Sequence, residues 1–379
     1  MSKSHNIIVS AGASRESGAK TIYLQFLKYL SCNVSENRYY VFIDYDMPCP
    51  EITGVTYIKI NVRSNIQRLK FDFYDCRKIL KRHGVKPDLI ISLQNTGVFC
   101  LRNIHQIIYY HQSLPLYPQN WNPLKKRERT LAFYKYIYPF FVRISFLKRK
   151  VDFIAQIPFI KDGIVKRFNI ADRHVHVLFP DTERINPDEI KYYNFEENTF
   201  NFIYPSTVFK YKNHRILIKA VSSIGKKNPE LLKHLRIHLT LNKEEAYSIT
   251  KDIIKKGLEQ NFIFHGTIPH NELLSMLKSA MALLFPSRIE TIGLPLIEAA
   301  ALGRRILTSD LPYAHQVLKN YEGAIYINSA EYEAWAMAIK AECDNEPREF
   351  QRMVMPLQSS WEDFFSIVNE KLSAIDSVY

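Results

Sequence analysis

What this sequence has little of narrows it first. Cysteine is scarce, and the five present, Cys32, Cys49, Cys76, Cys100 and Cys343, are odd in number, scattered and without any C-x-x-C pairing. That argues against a disulfide framework and against a zinc site, and it fits a reducing compartment. Long apolar runs are missing too. The opening residues, MSKSHNIIVSAG, carry no extended apolar core with a cleavage site, and the most apolar later stretch, LAFYKYIYPFFVRISF, is broken by Lys135, Pro139 and Arg143. No bilayer-spanning segment is expected from either. There is also no low-complexity tract and no repeat of the length that marks a solenoid. With 46% hydrophobic and 23% charged residues in 379, the composition is that of a soluble globular protein, and the length suits two cores.

Acidic residues are short in one half only. Residues 1–183 hold 28 Lys+Arg against 14 Asp+Glu, whereas residues 184–379 hold 23 against 24, so the formal charge of +13 is entirely N-terminal. Much of it gathers between Leu124 and Lys150, where nine basic residues face one acid with aromatics between them. Two readings of that segment stand side by side: one that lies on an anionic membrane surface, and a solvated helix with a buried aromatic stripe. No recognised nucleic-acid module accompanies the charge, so no nucleic-acid partner is expected.

Along the chain, apolar runs alternate with helical patterns. NIIVSAG, YYVFIDYD, VTYIKINV, DLIISLQ, IIYYHQS, DFIAQIPF and HVHVLFP read as strands, with helices through TIYLQFLKYL, FYDCRKILKRHG and IKDGIVKRF. Residues 181–197 are polar and without period, the signature of a linker. The alternation then restarts with NFIYPST, RIHLTLN, NFIFHGT, MALLFPS and RILTSD as strands. This predicts an α/β chain of two Rossmann-like, doubly wound domains facing a central cleft, 1–183 and 184–355. A final amphipathic helix within 356–379, bearing Trp361, Phe364 and Phe365, completes it.

The stretch Leu283 to Leu318 carries most of the chemistry. A buried strand ends at Pro286-Ser287, a tight loop holds Glu290-Thr291-Ile292-Gly293-Leu294, and Pro295 sits where a helix begins, a position that does not need its missing amide proton. Strand, glycine loop and helix start make an anion site, in which free amides and the helix dipole favour a phosphate by roughly 0.3–2 kcal/mol. Glu298, placed in the first helical turn, is positioned to accept hydrogen bonds from ribose hydroxyls. Taken alone, Glu290 reads equally well as a loop acid and Glu298 as a dipole-complementing residue. Asp44-Tyr45-Asp46 has the look of a metal-binding Asp-x-Asp, but it lies far in sequence from this loop, and no metal site is assigned to it.

Glu290 and Glu298, with seven residues between them, preceded by Pro-Ser and followed by Glu-Ala-Ala-Ala-Leu-Gly, resemble the signature of the large retaining glycosyltransferase family 4, whose members have the two-domain GT-B fold. NFIYPSTVFKYKNHRILIKA resembles that family's first C-terminal strand and loop, and FIFHGTIPHNELLSMLKSA its base-lining segment. The resemblance implies a donor site made of Ser206, Thr207, Lys210, Lys212, Gly266, Thr267, Glu290, Thr291, Ile292, Gly293, Leu294 and Glu298, in which Lys212 meets the donor diphosphate. It implies an acceptor-binding N-terminal domain with a glycine loop, Ala11 to Gly18, containing Gly12, Ser14, Arg15 and Gly18. His111, at a strand end, would reach the transferred sugar. Family members often have a Gly-Arg pair where this chain has Ser206-Thr207, which leaves the diphosphate charge to Lys212, Lys210 and the helix amides.

The implied reaction needs no metal and no cofactor. A nucleotide sugar, a uridine diphosphate sugar on family frequency, gives up a hexose or N-acetylhexosamine with retention, with Glu290, His111 and Lys212 as the catalytic group. The basic aromatic surface suggests a lipid-linked or oligosaccharide acceptor in O-antigen, lipopolysaccharide or capsule synthesis. The expected location is cytoplasmic, with peripheral attachment to the inner face of the cytoplasmic membrane. Two rivals share the fold, a nucleotide-sugar epimerase and a non-catalytic membrane-surface scaffold.

Overall fold

The computed structural model describes residues 4–15, 17–126, 128–147, 150–181, 185–354 and 359–377. The expected boundaries at 183/184 and 355/356, and the basic residues Arg127, Lys148 and Arg149, lie outside the described residues. Residues 1–181 and 357–379 form one unit and residues 182–356 another.

In the first unit the apolar runs pair as seven parallel strands: β1 Asn6–Ser10, β2 Arg38–Asp44, β3 Val55–Ile60, β4 Leu89–Ser92, β5 His105–Tyr109, β6 Val151–Ala155 and β7 Val175–Val177. Their order is β3-β2-β1-β4-β5-β6-β7. Every residue of β4 and β6 is buried, as expected of central parallel strands covered on both faces. Alternation along the strands separates two cores. Ile7, Val9, Val41, Ile43, Leu89 and Ile91 share one, and Ile8, Phe42, Ile90 and Ile58 pack with Phe71, Cys76 and Leu80 in the other.

The first core is closed by two helices far apart in sequence, Ser17–Cys32 and Ser360–Asp376. The last helix buries Trp361, Phe364, Phe365, Val368 and Leu372 there, with Phe365 stacked on Tyr29 and Trp361 on Tyr109. Each such aromatic withdraws enough apolar surface to contribute about 1.5–3 kcal/mol. Its N-terminus is held by the Asp181 carboxylate, which accepts from the Ser360 amide at 2.7 Å and the Ser360 hydroxyl at 2.9 Å. Placing a negative charge at that end also complements the helix dipole. One expectation is corrected: Gly18 belongs to the helix Ser17–Cys32 and not to the loop after β1.

The second unit has six parallel strands, β8 Phe200–Tyr204, β9 Leu235–Leu239, β10 Phe262–Phe264, β11 Ala282–Phe285, β12 Ile306–Ser309 and β13 Ala324–Ile327. Their order is β10-β9-β8-β11-β12-β13. In both sheets the connections change direction beside the first strand, between β1 and β4 and between β8 and β11. Open α/β sheets bind ligands outside the carboxyl ends of their strands at such switch points. Among the described residues, no helix is long and apolar enough to cross a membrane.

Candidate functional site

At the switch point of the second unit, three loops are tied together. After β8 the chain makes a single 3-10 turn, Lys210–Lys212, and Asn213 takes a left-handed conformation (φ +62°) before the helix His214–Lys227. Asparagine tolerates that conformation better than most residues. Here its side-chain amide donates to the Pro286 carbonyl at 3.2 Å and the Ser329 carbonyl at 2.9 Å. Arg288 donates its backbone amide to the Tyr211 carbonyl and a guanidinium N–H to the same Ser329 carbonyl, each at 2.8 Å. The Tyr204 hydroxyl donates to the Lys212 carbonyl at 2.5 Å, and that of Tyr313 to Ser287 at 2.8 Å.

The result of these ties is one contact. Lys212 Nζ lies 2.5 Å from Glu290 Oε1, with side-chain exposures of only 15% and 11%. Lys212 follows β8 and Glu290 follows β11, so the pair straddles the switch point. The field is felt nearby: burial first and the Glu290 charge second push the Tyr211 and Tyr204 phenols above their ordinary range. Burial, with Lys212 adding to it, lowers His214 to about 3, so that its ring is neutral at pH 7. That neutral ring exchanges a hydrogen bond with Ser206 Oγ at 2.8 Å.

Gly293 caps the helix Leu294–Ala301 at φ +74°, and a Cβ there would stand 3.1 Å from the Phe285 ring. Glycine is thus required both by its conformation and by the close approach of an aromatic. Two positions differ from expectation. Leu294 is the first helical residue and Pro295 the second, and Glu298 is the fifth, beyond the first turn. The one-residue offset follows from Gly293 rather than Leu294 forming the cap, and it moves Glu298 away from the amide ring. Glu298 Oε1 instead pairs with His270 Nε2 at 2.9 Å, while Glu298 Oε2 is buried without a hydrogen-bond partner among the described residues. A buried carboxylate oxygen left open is an acceptor for a hydroxyl donor.

Of the other residues picked out in this unit, Thr291 and Leu294 are half-buried, Ile292 is buried, and Thr207, Lys210 and Thr267 are exposed. Gly266 has φ +71°, and a Cβ on it would meet Asn242 Oδ1 at 2.6 Å. It and Thr267 follow β10, at the same carboxyl edge as Lys212 and Glu290. His270, His214, Arg288 and Ser329 escaped notice in the sequence. His270 and His214 had one usable signal, their position at the start of a helical pattern.

In the first unit the loops after β1 and β4 are joined at their switch point. Ser14 Oγ donates to the Leu93 carbonyl at 3.0 Å, and Gln94 accepts from the Ala13 amide at 3.1 Å while donating to Ser10 Oγ at 2.8 Å. Gly12 lies against Val62, where a Cβ would come within 2.6 Å. Arg15 follows, half-buried. His111, just past β5, is gripped by Asn95, which accepts from its amide at 2.6 Å and bonds its Nε2 at 3.2 Å. Burial, with Arg68 nearby, lowers the imidazole to about 4, and its Nδ1 has no partner. Asp44 and Asp46 share the Arg63 guanidinium, a positive charge already in place. Among the described residues no group of three or more His, Cys, Asp or Glu is arranged to hold a metal ion.

Residues 186–354 match the family described as glycosyl transferases group 1. The O-antigen chain mannosyltransferase RfbU of Salmonella typhimurium strain LT2 is 26% identical over 270 residues, 71% of this chain and 69% of that one. Among solved structures, WaaG, a glycosyltransferase involved in lipopolysaccharide biosynthesis, superposes with a TM-score of 0.62 at 15% identity over 88% of this chain and 90% of that one. HepE of Anabaena, solved with UDP-glucose, gives a TM-score of 0.59 at 13% identity over 89% of each chain.

Proposed function

We propose that this chain, whose residues 186–354 match the group 1 glycosyl transferases, is a metal-independent, retaining enzyme. It moves a hexose or N-acetylhexosamine from a nucleotide sugar, a uridine diphosphate sugar foremost, to a lipid-linked or oligosaccharide acceptor in bacterial surface polysaccharide synthesis. The observation that carries the reading is the Lys212–Glu290 pair at 2.5 Å on the switch point of the second sheet. A cation fixed there, beside a helix start opened by Gly293, is pre-aimed at a diphosphate.

The chemistry to be served is departure of a nucleoside diphosphate, with negative charge growing on the bridging oxygen. Lys212 stabilises that charge at no cost of reorganisation, because Tyr204, Asn213 and Arg288 already hold its loop. Glu290 orients the sugar hydroxyls and, engaged by a lysine, acts as an acceptor of hydrogen bonds and not as a nucleophile. The open oxygen of Glu298 takes a ribose hydroxyl. His111, neutral at pH 7, accepts or donates a hydrogen bond to a sugar hydroxyl without adding charge. The roles of RfbU in the O-antigen chain and of WaaG in lipopolysaccharide biosynthesis support surface-polysaccharide assembly, and the UDP-glucose of HepE supports the donor class. The acceptor, and contact of the Leu124 to Lys150 segment with an anionic membrane surface, rest on charge and resemblance.

The test is thermal stabilisation by uridine, guanosine and adenosine diphosphates and their sugars, in chelator and with added Mg²⁺, on wild type, Glu298→Ala and Lys212→Ala. A ligand at about 100 times its Kd adds roughly 2.7 kcal/mol. One nucleotide should stabilise the wild type in chelator and not the variants. Stabilisation that requires the metal refutes metal independence, and none at all puts the scaffold reading ahead.

A further inference from the structure

A second cationic cavity lies at the opposite end of the first sheet from His111, and the proposed chemistry makes no use of it. It is ≈ 520 Å³ in volume and sits at the amino ends of β5 and β6, where Arg143, Lys150, His105 and His174 meet Phe146 and Phe168. That volume is within the range of small-ligand sites. Among the described residues no acidic side chain lines it. The Asp152 carboxylate, which holds two of its histidines, is fully buried and already used: it takes His105 at 2.6 Å, His176 at 3.0 Å, His174 at 3.3 Å and Lys371 at 3.7 Å. Among the described residues neither Arg143 nor Lys150 forms an ion pair.

The helix that supplies Arg143 has an unusual outer face. Tyr138–Phe146 buries Tyr138, Pro139, Val142, Ser145 and Phe146. On its outer side Phe140, 61% exposed, stands beside the exposed Arg143; Tyr136, 46% exposed, precedes the helix in the π-helical turn Phe133–Ile137, and Leu147, 51% exposed, lies just past its end. The buried aromatic stripe of one sequence reading is present in Tyr138 and Phe146.

We propose that this cavity binds the phosphate of an anionic glycerophospholipid while Tyr136, Phe140 and Leu147 enter the interfacial layer of the bilayer. This deepens, and rests on, the membrane-surface part of the function proposed above. The charge complement is a phosphate, since cations without a counterion meet at the cavity. The lipid as its source follows from the apolar face beside it, which a free phosphate leaves uncovered and a glycerol–acyl moiety covers.

The test is flotation of the full chain with vesicles of phosphatidylcholine alone or mixed with phosphatidylglycerol. The variants are Arg143→Ala/Lys150→Ala, Phe140→Ser/Leu147→Ser, and the control Lys81→Ala/Arg82→Ala, which removes the same charge elsewhere on this unit. Each basic residue at an anionic surface is worth roughly fivefold in partitioning. The pocket variant should then bind about 25-fold more weakly, with the control losing much less and nucleoside diphosphate stabilisation unchanged in both. A wild type that ignores anionic vesicles overturns the membrane reading and the pocket together. Equal loss in pocket and control variants overturns the pocket alone. If glycerol 1-phosphate displaces the protein from vesicles at micromolar concentration, the ligand is a free phosphate ester and the lipid assignment is wrong.

Discussion

Replacing Lys212 by Met tests the centre of the donor site most directly. The ammonium lies 2.5 Å from Glu290, and both side chains are largely withdrawn from water. Removing one partner of a buried pair costs about 3–5 kcal/mol, because the remaining charge is stranded. Since 15% and 11% of the two side chains still meet solvent, which screens the stranded charge, we expect less than that range, about 2–3 kcal/mol. Adding Glu290→Gln removes the stranded charge and should recover about 0.5–3 kcal/mol as a coupling energy. Hydrogen exchange of the β8 and β11 amides reports opening of this unit by itself, which a global melt of a two-unit chain does not. Nucleotide binding should behave differently. A charge-assisted contact is worth about 1.5–3 kcal/mol, so single and double variants should both bind nucleoside diphosphate roughly 10- to 150-fold more weakly, stability recovered or not. Wild-type affinity in Lys212→Met would refute the diphosphate role. A double variant no more protected than the single would refute the pair as a coupled unit.

Acid should destabilise both units by a common route. His111 falls from 6.5 to about 4, and His214 from 6.5 to about 3, so each fold prefers the neutral ring. Their contribution is complete above pH 6.5 and is lost as the pH falls toward those values, by about 1.4 kcal/mol for each unit of lowering. Urea midpoints at pH 7, 5.5 and 4.5 on wild type, His111→Gln and His214→Gln should show a shallower acid limb in the variants, and identical limbs would contradict it. Gly293→Ala forces a methyl into the left-handed region against Phe285, at about 1–2 kcal/mol, and should weaken nucleotide binding more than Gly257→Ala, where φ is +65° and nothing lies within 4 Å. Arg288→Ala unties the Ser329 carbonyl from the Glu290 loop; calorimetry should find nucleotide affinity reduced several-fold, with partial rescue by Arg288→Lys, and unchanged affinity in Arg288→Ala would remove it from the site. Trp361→Ala should cost the first unit about 3–5 kcal/mol, read as earlier proteolysis of its strands.

The strands and the glycine loop that opens the helix after Glu290 were legible because they rest on local pattern, while Lys212 was reached through the family resemblance. Runs such as NIIVS and LIIS are buried on both faces and show it in their composition, and Gly293 followed by Pro295 marks a helix start within one residue. The contacts that complete the site were not legible. Asn213 and Arg288 converge on a carbonyl 116 and 41 residues away, and His270 reaches Glu298 across 28. No period or propensity encodes a partner at such separations; only the sheet order brings them side by side. The same holds for Asp152, whose single carboxylate collects histidines from β5 and from around β7 with a lysine of the last helix.

The closure of the first core by Ser360–Asp376 has a consequence for how the protein is made. When Asp181 has left the ribosome, the seven-stranded sheet that precedes it still lacks the side chains of Trp361, Phe364, Phe365, Val368 and Leu372, and the intervening unit must be synthesised before they arrive. At about 5–20 residues per second that interval is on the order of 10–40 s. The nascent N-terminal half therefore presents an apolar groove along Ile7, Phe26 and Tyr109 throughout, while the later-made unit, continuous in sequence, is free to finish first. The second unit can thus complete its core before the first, whose last apolar side chains arrive only with the final helix.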